Sequence, residues 1–207
     1  MLGGIDPYGA SKSATEIAIK SYIKSYFRNR RNKVLIAVAR AGNVIGGGDW
    51  SENRLVPDCM KAWLKNKEVL IRNSNSTRPW QHVLEVLSGY ISLAYKLNFN
   101  QKIHGQAFNF GPKNKNYKVI EILKKIKKIW PLVKWKNYSE KKFFENKLLN
   151  LNSKKSFKIL KWRSKLSIND TIKMTVDWYK NYYINKKNKK LILKKSLNQI
   201  NFYTNLK

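Results

Sequence analysis

Six apolar residues in a row, Val34-Leu35-Ile36-Ala37-Val38-Ala39, run directly into Arg40-Ala41-Gly42-Asn43, and nothing else restricts the fold of this chain as tightly. A strand that is apolar on both faces must be covered on both, which is the condition of a parallel sheet packed between helices. A helix is predicted just before it. Ala10, Ala14, Ile17, Ala18, Tyr22 and Tyr26 recur at helical spacing between Gly9 and about Arg28, and Ile19, Ile23 and Phe27 widen the stripe. So wide a stripe predicts burial on two sides, against a sheet and against a partner helix. Asp6-Pro7 is a helix-start signal, and Arg28, Arg30 and Arg31 suit the dipole at the other end. The fold class that follows is α/β, built on a parallel sheet.

Further along, the pattern predicts a helix from Leu55 to about Leu64 and a strand over Glu68–Arg72. The polar and aromatic stretch from Thr77 to Glu85 leads into a helix from about Leu84 to Leu97. A strand over Gln106–Phe110 ends at Gly111-Pro112. Val119, Ile120, Ile122, Leu123, Ile126 and Ile129 mark an amphipathic helix stopped by Pro131. A short helix is expected around Phe157 and Leu160, and a longer one from Ile168 to about Tyr183. The lysine-rich tail from Asn185 reads as solvated and frayed. No internal repeat is visible.

The net charge of +31 raises the question of nucleic acid. The excess is heaviest beyond Pro112, where Arg163 is the one arginine among many lysines. Arginine is the residue expected for bidentate reading of bases and phosphates, so a nucleic-acid partner is unlikely from this composition. Hydrophobic residues at 43% predict a folded chain. A single cysteine, Cys59, allows no internal disulfide and fits a reducing compartment. No apolar stretch is long enough to span a membrane, and Met1–Asp6 have no signal-peptide character, so a cytoplasmic location is expected.

The residues that carry chemistry stand at the start. Tyr8 and Lys12 are four positions apart on the first helix, which places a phenol and an ammonium on one face, one turn apart. A fixed cation beside a phenol favours its ionised form. Such a pair can take a proton from a sugar hydroxyl while the lysine holds a cofactor ribose. Arg40 and Asn43 follow the apolar run, at the strand end where ligands collect in open α/β sheets. Gly46-Gly47-Gly48 has no Gly-Lys-Ser/Thr sequel, so it is read as a flexible turn beside a ligand and not as a triphosphate loop. The guanidinium of Arg78 suits a pyrophosphate. His82 is read as structural, and Asn109 lies near a strand end. No metal-ligand pattern is present.

Four stretches in order, Asp6-Pro7-Tyr8-Gly9-Ala10-Ser11-Lys12, Ala39 to Trp50, Arg78-Pro79-Trp80-Gln81-His82-Val83-Leu84-Glu85, and Phe108-Asn109-Phe110-Gly111-Pro112, resemble the extended short-chain dehydrogenase/reductases. Among these, Gly46–Trp50 and Arg78–Glu85 are similar to the CDP-glucose 4,6-dehydratases. The likeness continues weakly through Phe144-Glu145 and Leu149-Asn150-Leu151 to Tyr179, covering roughly residues 1–183. It implies the carboxyl-terminal part of a Rossmann-like fold, an incomplete parallel sheet with a small mixed substrate-binding lobe. Residues 1–50 would be the remnant of the dinucleotide-binding domain, 51–183 the sugar-nucleotide lobe, and 184–207 a basic tail.

The same resemblance implies NAD as cofactor and CDP-glucose as substrate. Tyr8 would be the general base toward the glucose 4-hydroxyl, and Lys12 would hold the nicotinamide ribose. Ala41, Gly42 and Asn43 would line the nicotinamide side. Asn43, Leu55, Arg78 and Asn109 would bind the sugar nucleotide. The family's glycine-rich βαβ turn and its remaining acid–base residues have no counterpart here. The chain is therefore expected to be inactive alone, as a broken gene product or as one chain of a split enzyme that needs a separate amino-terminal half. A homodimer through the helix after Tyr8 is implied. A sugar-nucleotide binding module without chemistry and a basic polyanion-binding protein remain as alternatives.

Overall fold

Helix α1 (Pro7–Tyr26) begins where Asp6 caps it: the carboxylate accepts the Gly9 N–H at 2.9 Å, and Pro7 takes the first helical position. Its inward positions, Gly9, Ser13, Glu16, Ile19, Ile23 and Phe27, are half-buried. None of its residues is fully buried, and Ile17, Tyr22 and Tyr26 are exposed. No described element of this chain lies against the outer face. The computed structural model describes residues 6–27, 34–112, 116–138, 150–185 and 188–206. Arg28, Arg30 and Arg31, and Phe144, Glu145 and Leu149, lie outside the described residues.

The apolar run becomes β1 (Val38–Ala41), shorter than the run itself, paired in parallel with β6 (Ala107–Phe110) so that Arg40 stands opposite Asn109. Helix α3 (Val83–Phe99) packs on both strands, and α5 (Lys154–Leu160) packs on β6. Between them Leu93, Ile103, Phe108, Phe110 and Trp162 form one core cluster. Gly89 of α3 lies against the Phe110 ring, where an added Cβ would fall 2.4 Å from Cδ1, so a side chain there would push helix from sheet.

Beyond Gly42 the chain continues as β2 (Asn43–Ile45), parallel to β5 (Trp80–His82). Two further pairs are present among the described residues. These are β3 (Val69–Ile71) parallel to β8 (Trp135–Asn137), and β4 (Thr77–Arg78) antiparallel to β7 (Tyr117–Lys118). Around them α2 (Leu55–Trp63), α4 (Val119–Ile129) and α6 (Ile168–Ile184) bury the larger cluster. Cys59, Met60, Ile122, Leu123 and Val176 are sealed within it. The apolar positions of α4 fall on one face and its lysines on the other, which is why this helix is the most sharply two-sided of the set.

The tail is not frayed. Asn188 caps a further helix, α7 (Lys189–Thr204), whose Ser196 and Gln199 bond to Trp178 and to the Met174 carbonyl on α6. Its last turn buries Tyr203 with Leu166 and Met174. The docking is largely polar: Ile192 is half-buried, Lys195 pairs with Asp177 of α6 at 4.0 Å, and Leu193, Leu197 and Phe202 stay exposed.

Candidate active site

At Gly42 two chain segments cross. The link between β1 and β2 passes under Pro79, which joins β4 to β5, and the Asn43 N–H donates to the Pro79 carbonyl at 3.1 Å. A Cβ on Gly42 would lie 2.6 Å from that oxygen, so only glycine permits the crossing. Because β1 ends here, the crossing lies at the carboxyl end of a parallel strand, where α/β sheets open to ligands.

A cleft of about 640 Å³ opens at this point. Tyr8, Ala41, Gly42, Asn43, Leu55 and Arg78 all line it, although they come from α1, the end of β1, the link after it, the start of β2, α2 and β4. Tyr8 is 66% exposed, so its phenol is available at the cleft. The Lys12 ammonium stands 5.4 Å from the centre of the Tyr8 ring, over its face. Lys12 is adjacent to Tyr8 but does not line the cleft.

Two of the residues read from sequence are placed elsewhere. Arg40 does not face the cleft: its Nε and Nη2 donate to the two oxygens of Glu16 on α1, at 2.6 and 2.5 Å. The guanidinium that was expected to touch a ligand is engaged in a bidentate ion pair, and the Glu16 carboxyl is held below the usual carboxylate range chiefly by that bond. Asn109 points toward the loop before α5, where its amide donates to the Asn152 carbonyl at 3.2 Å. It is not among the residues that line the cleft.

Arg78 is buried in the cleft wall with its Nη1 donating to the Thr77 carbonyl at 3.0 Å. Sequence reasoning missed Arg54, which enters the cleft from the start of α2, and Trp80, whose indole N–H donates to the Tyr117 carbonyl. Arg54 follows Asn53 in a left-handed turn (φ 59°), and that irregular loop between Trp50 and α2 was the one signal available. His82 is structural, as read. Its Nδ1 accepts from Leu84 N–H to cap α3, and burial pulls its pKa down to about 4. Cys59 is sealed in the core, and burial pushes its thiol up to about 12, so it carries no nucleophilic chemistry.

The glycine turn read as flexible is instead pinned. Gly46 and Asp49 line the cleft, but Gly47 lies flat on the Trp178 indole, where an added Cβ would be 2.1 Å from the ring. The Tyr179 hydroxyl donates to the Asp49 carbonyl at 2.6 Å, and Trp50 packs among Trp178, Tyr179, Tyr182 and Tyr183. Helix α6 thus holds the rim of the cleft from behind. Among the described residues no group of histidine, cysteine and carboxylates could hold a metal, and no helix is long and apolar enough to cross a membrane.

The described residues form an α/β fold of the kind seen in NAD-dependent epimerase and dehydratase structures, with a cleft at a strand's carboxyl end. Residues 3–111 match the NAD dependent epimerase/dehydratase family, and the chain belongs to that family. The CDP-glucose 4,6-dehydratase of Salmonella typhimurium is 38% identical over 184 residues, which are 86% of this chain and 51% of that protein. Among solved structures, the UDP-glucuronic acid 4-epimerase of Bacillus cereus, in complex with UDP-glucuronic acid and NAD, superposes with a TM-score of 0.74 at 19% identity. It covers 86% of this chain and 54% of the other. The dTDP-glucose 4,6-dehydratase of Bacillus anthracis, in complex with NAD, gives 0.73 at 21% identity, with coverage of 88% and 55%. The chain spans about half the length of the relatives it matches.

Proposed function

We propose that this chain supplies the substrate side of a nucleotide-sugar 4,6-dehydratase acting on CDP-glucose. The observation that carries the reading is the single cleft into which Tyr8, Ala41, Gly42, Asn43, Leu55 and Arg78 converge. The residues present fit the nicotinamide-ribose end of NAD. They offer an exposed phenol with a neighbouring ammonium, and at Gly42 a wall that carries no side chain. NAD, when bound, supplies hydride acceptance from C4 of the sugar and its later return to C6. Tyr8 takes the proton of the 4-hydroxyl, and Lys12 holds the ribose beside it. Asn43 and Leu55 orient the sugar nucleotide. Arg78, with Arg54, offers planar guanidinium groups to its diphosphate. The resulting ketone at C4 acidifies the C5 proton and allows water to leave across C5–C6.

The sequence contains no Gly-x-x-Gly-x-x-Gly turn, the feature that grips a dinucleotide pyrophosphate. We therefore propose that residues 1–207 hold NAD weakly and do not turn over unless a further segment, on the same or another polypeptide, supplies it. Homodimerisation through α1 belongs to the same proposal, supported by the exposed Ile17, Tyr22 and Tyr26.

The test compares the purified chain with the chain joined to the amino-terminal half of the Salmonella typhimurium enzyme, each given CDP-glucose and NAD. Formation of the 4-keto-6-deoxy sugar by the joined protein alone, abolished by Tyr8→Phe, is the expected result. Saturable CDP-glucose binding with no product, unaffected by Tyr8→Phe, would replace this reading with that of a binding module.

A further inference from the structure

Helix α1 is attached to the rest of the molecule in two different ways along its length. In its carboxyl half the inward positions are Ile19, Ile23 and Phe27, which are large and apolar. There His104 adds a polar tie: its Nδ1 accepts the Ile36 N–H at 3.0 Å, so its Nε2 carries the proton and donates to the Phe27 carbonyl at 3.2 Å. In its amino half the inward positions are Gly9, Ser13 and Glu16. The Ser13 hydroxyl is turned back onto the Gly9 carbonyl of its own helix at 3.0 Å. Apolar packing therefore cannot set how the Tyr8 end of the helix sits. Among the described residues one tie remains there: the bidentate fork of Arg40 on Glu16, with side-chain exposures of 39% and 12%.

We propose that Arg40 is a positioning residue for Tyr8, acting through Glu16. Tyr8, Lys12 and Glu16 follow one another at four-residue steps along the same side of α1. Fixing Glu16 in both distance and plane fixes the rotation of that side about the helix axis. A guanidinium can do this because its two parallel N–H bonds specify an orientation as well as a separation, which an ammonium cannot. Arg40 sits on β1, one residue before the Ala41-Gly42-Asn43 wall of the cleft. The same strand thus carries the wall and, through the ion pair, the phenol opposite it. A half-exposed ion pair contributes little to global stability, so its effect on Tyr8 is separable from unfolding. This inference rests on the reading of Tyr8 as the reactive group.

The experiment measures distances by electron–electron double resonance between nitroxides on cysteines introduced at exposed positions, in the Cys59→Ser background. One pair, Ala14→Cys with Lys65→Cys, reports the amino half of α1; a second, Lys24→Cys with Lys65→Cys, reports the carboxyl half. Arg40→Gln and Glu16→Gln are each expected to broaden the first distribution and leave the second narrow. The charge exchange Glu16→Arg with Arg40→Glu is expected to narrow the first again. An unchanged first distribution in Arg40→Gln overturns the proposal, as does equal broadening of both pairs, which would mean general undocking. In the joined, active protein Arg40→Gln is expected to lower kcat about tenfold or more with KM little changed, since Arg40 does not line the cleft. The distance measurement needs neither ligand nor turnover, so it stands or falls apart from the Tyr8→Phe result.

Discussion

The carboxylate of Glu85 and the phenol of Tyr203 lie 2.8 Å apart although 118 positions separate them in the chain. Glu85 closes the Arg78–Glu85 stretch, and its other oxygen accepts the backbone N–H groups of Lys165 and Leu166 at 2.7 and 2.5 Å. Tyr203 also meets the Ser88 hydroxyl, which accepts the Trp162 indole N–H. This network is what ties α7 to the segment that presents Arg78. Tyr203→Phe is expected to cost about 1–3 kcal/mol, since it leaves a buried acceptor with one donor fewer. Hydrogen exchange should show α7 amides opening faster while those of α4 keep their protection; uniform loss in both helices would argue against a local latch.

The two carboxylates singled out by the structure respond to pH in opposite senses. Burial raises the Glu85 pKa above its unfolded value, so its contribution to stability is full below the ordinary carboxylate range and is lost as pH rises through the folded value. The bond from Arg40 lowers that of Glu16, whose contribution is present above the ordinary range and lost as pH falls through the depressed value. Lowering the pH through the folded value of Glu85 should therefore add stability, and lowering it through the depressed value of Glu16 should remove stability around α1. Site-resolved exchange between pH 7 and pH 3 checks both, with Glu85→Gln expected to abolish the first effect.

Gly47→Ala should damage the cleft from outside it. The new methyl would overlap the Trp178 ring, so either the rim turn or the aromatic cluster must move. Overpacking of this kind costs about 1–3 kcal/mol. The measurable consequences are a lower melting temperature and altered fluorescence of Trp50 and Trp178, which pack on one another. A variant with wild-type spectra and stability would show the turn to be as pliable as its three glycines suggest.

Ile122 is completely buried between α4 and its neighbours in the larger core. Truncation in Ile122→Ala is expected to lose about 2–5 kcal/mol, the spread reflecting how far the cavity collapses. Urea unfolding of both forms measures it, and a loss below about 1 kcal/mol would mean that this lobe is loosely packed.

Much of the fold was legible in local pattern. The α4 helix, with apolar and lysine faces separated by helical spacing, lies where Val119 to Ile129 place it. Asp6 and Pro7 start α1 as their chemistry requires. His82 was read as structural, and it is. These are decisions a residue makes with neighbours within a turn or two, and periodicity reports them directly. Tyr8, Asn43 and Arg78 stand out by their own chemistry, whereas Ala41, Gly42 and Leu55, and the grouping of all six, rest on the resemblance. Periodicity alone would not have joined Tyr8 to Arg78.

What the sequence determined by itself was the type and order of most elements, and which face of each seeks burial. Which partner would meet a given polar group was decided only by tertiary closure. Arg40 reads as ligand-facing at a strand end, but Glu16, itself on the inward stripe of α1, reaches it first. Asn109 is turned away by Asn152 from the loop before α5. Gly46-Gly47-Gly48 reads as flexible until the Trp178 ring lies on it, and the lysine-rich tail reads as frayed until Tyr203 finds Glu85. The physical reason is common to all four. A side chain's direction in space follows from local backbone, but the group it meets comes from a segment tens of residues away, and no local pattern encodes that distance.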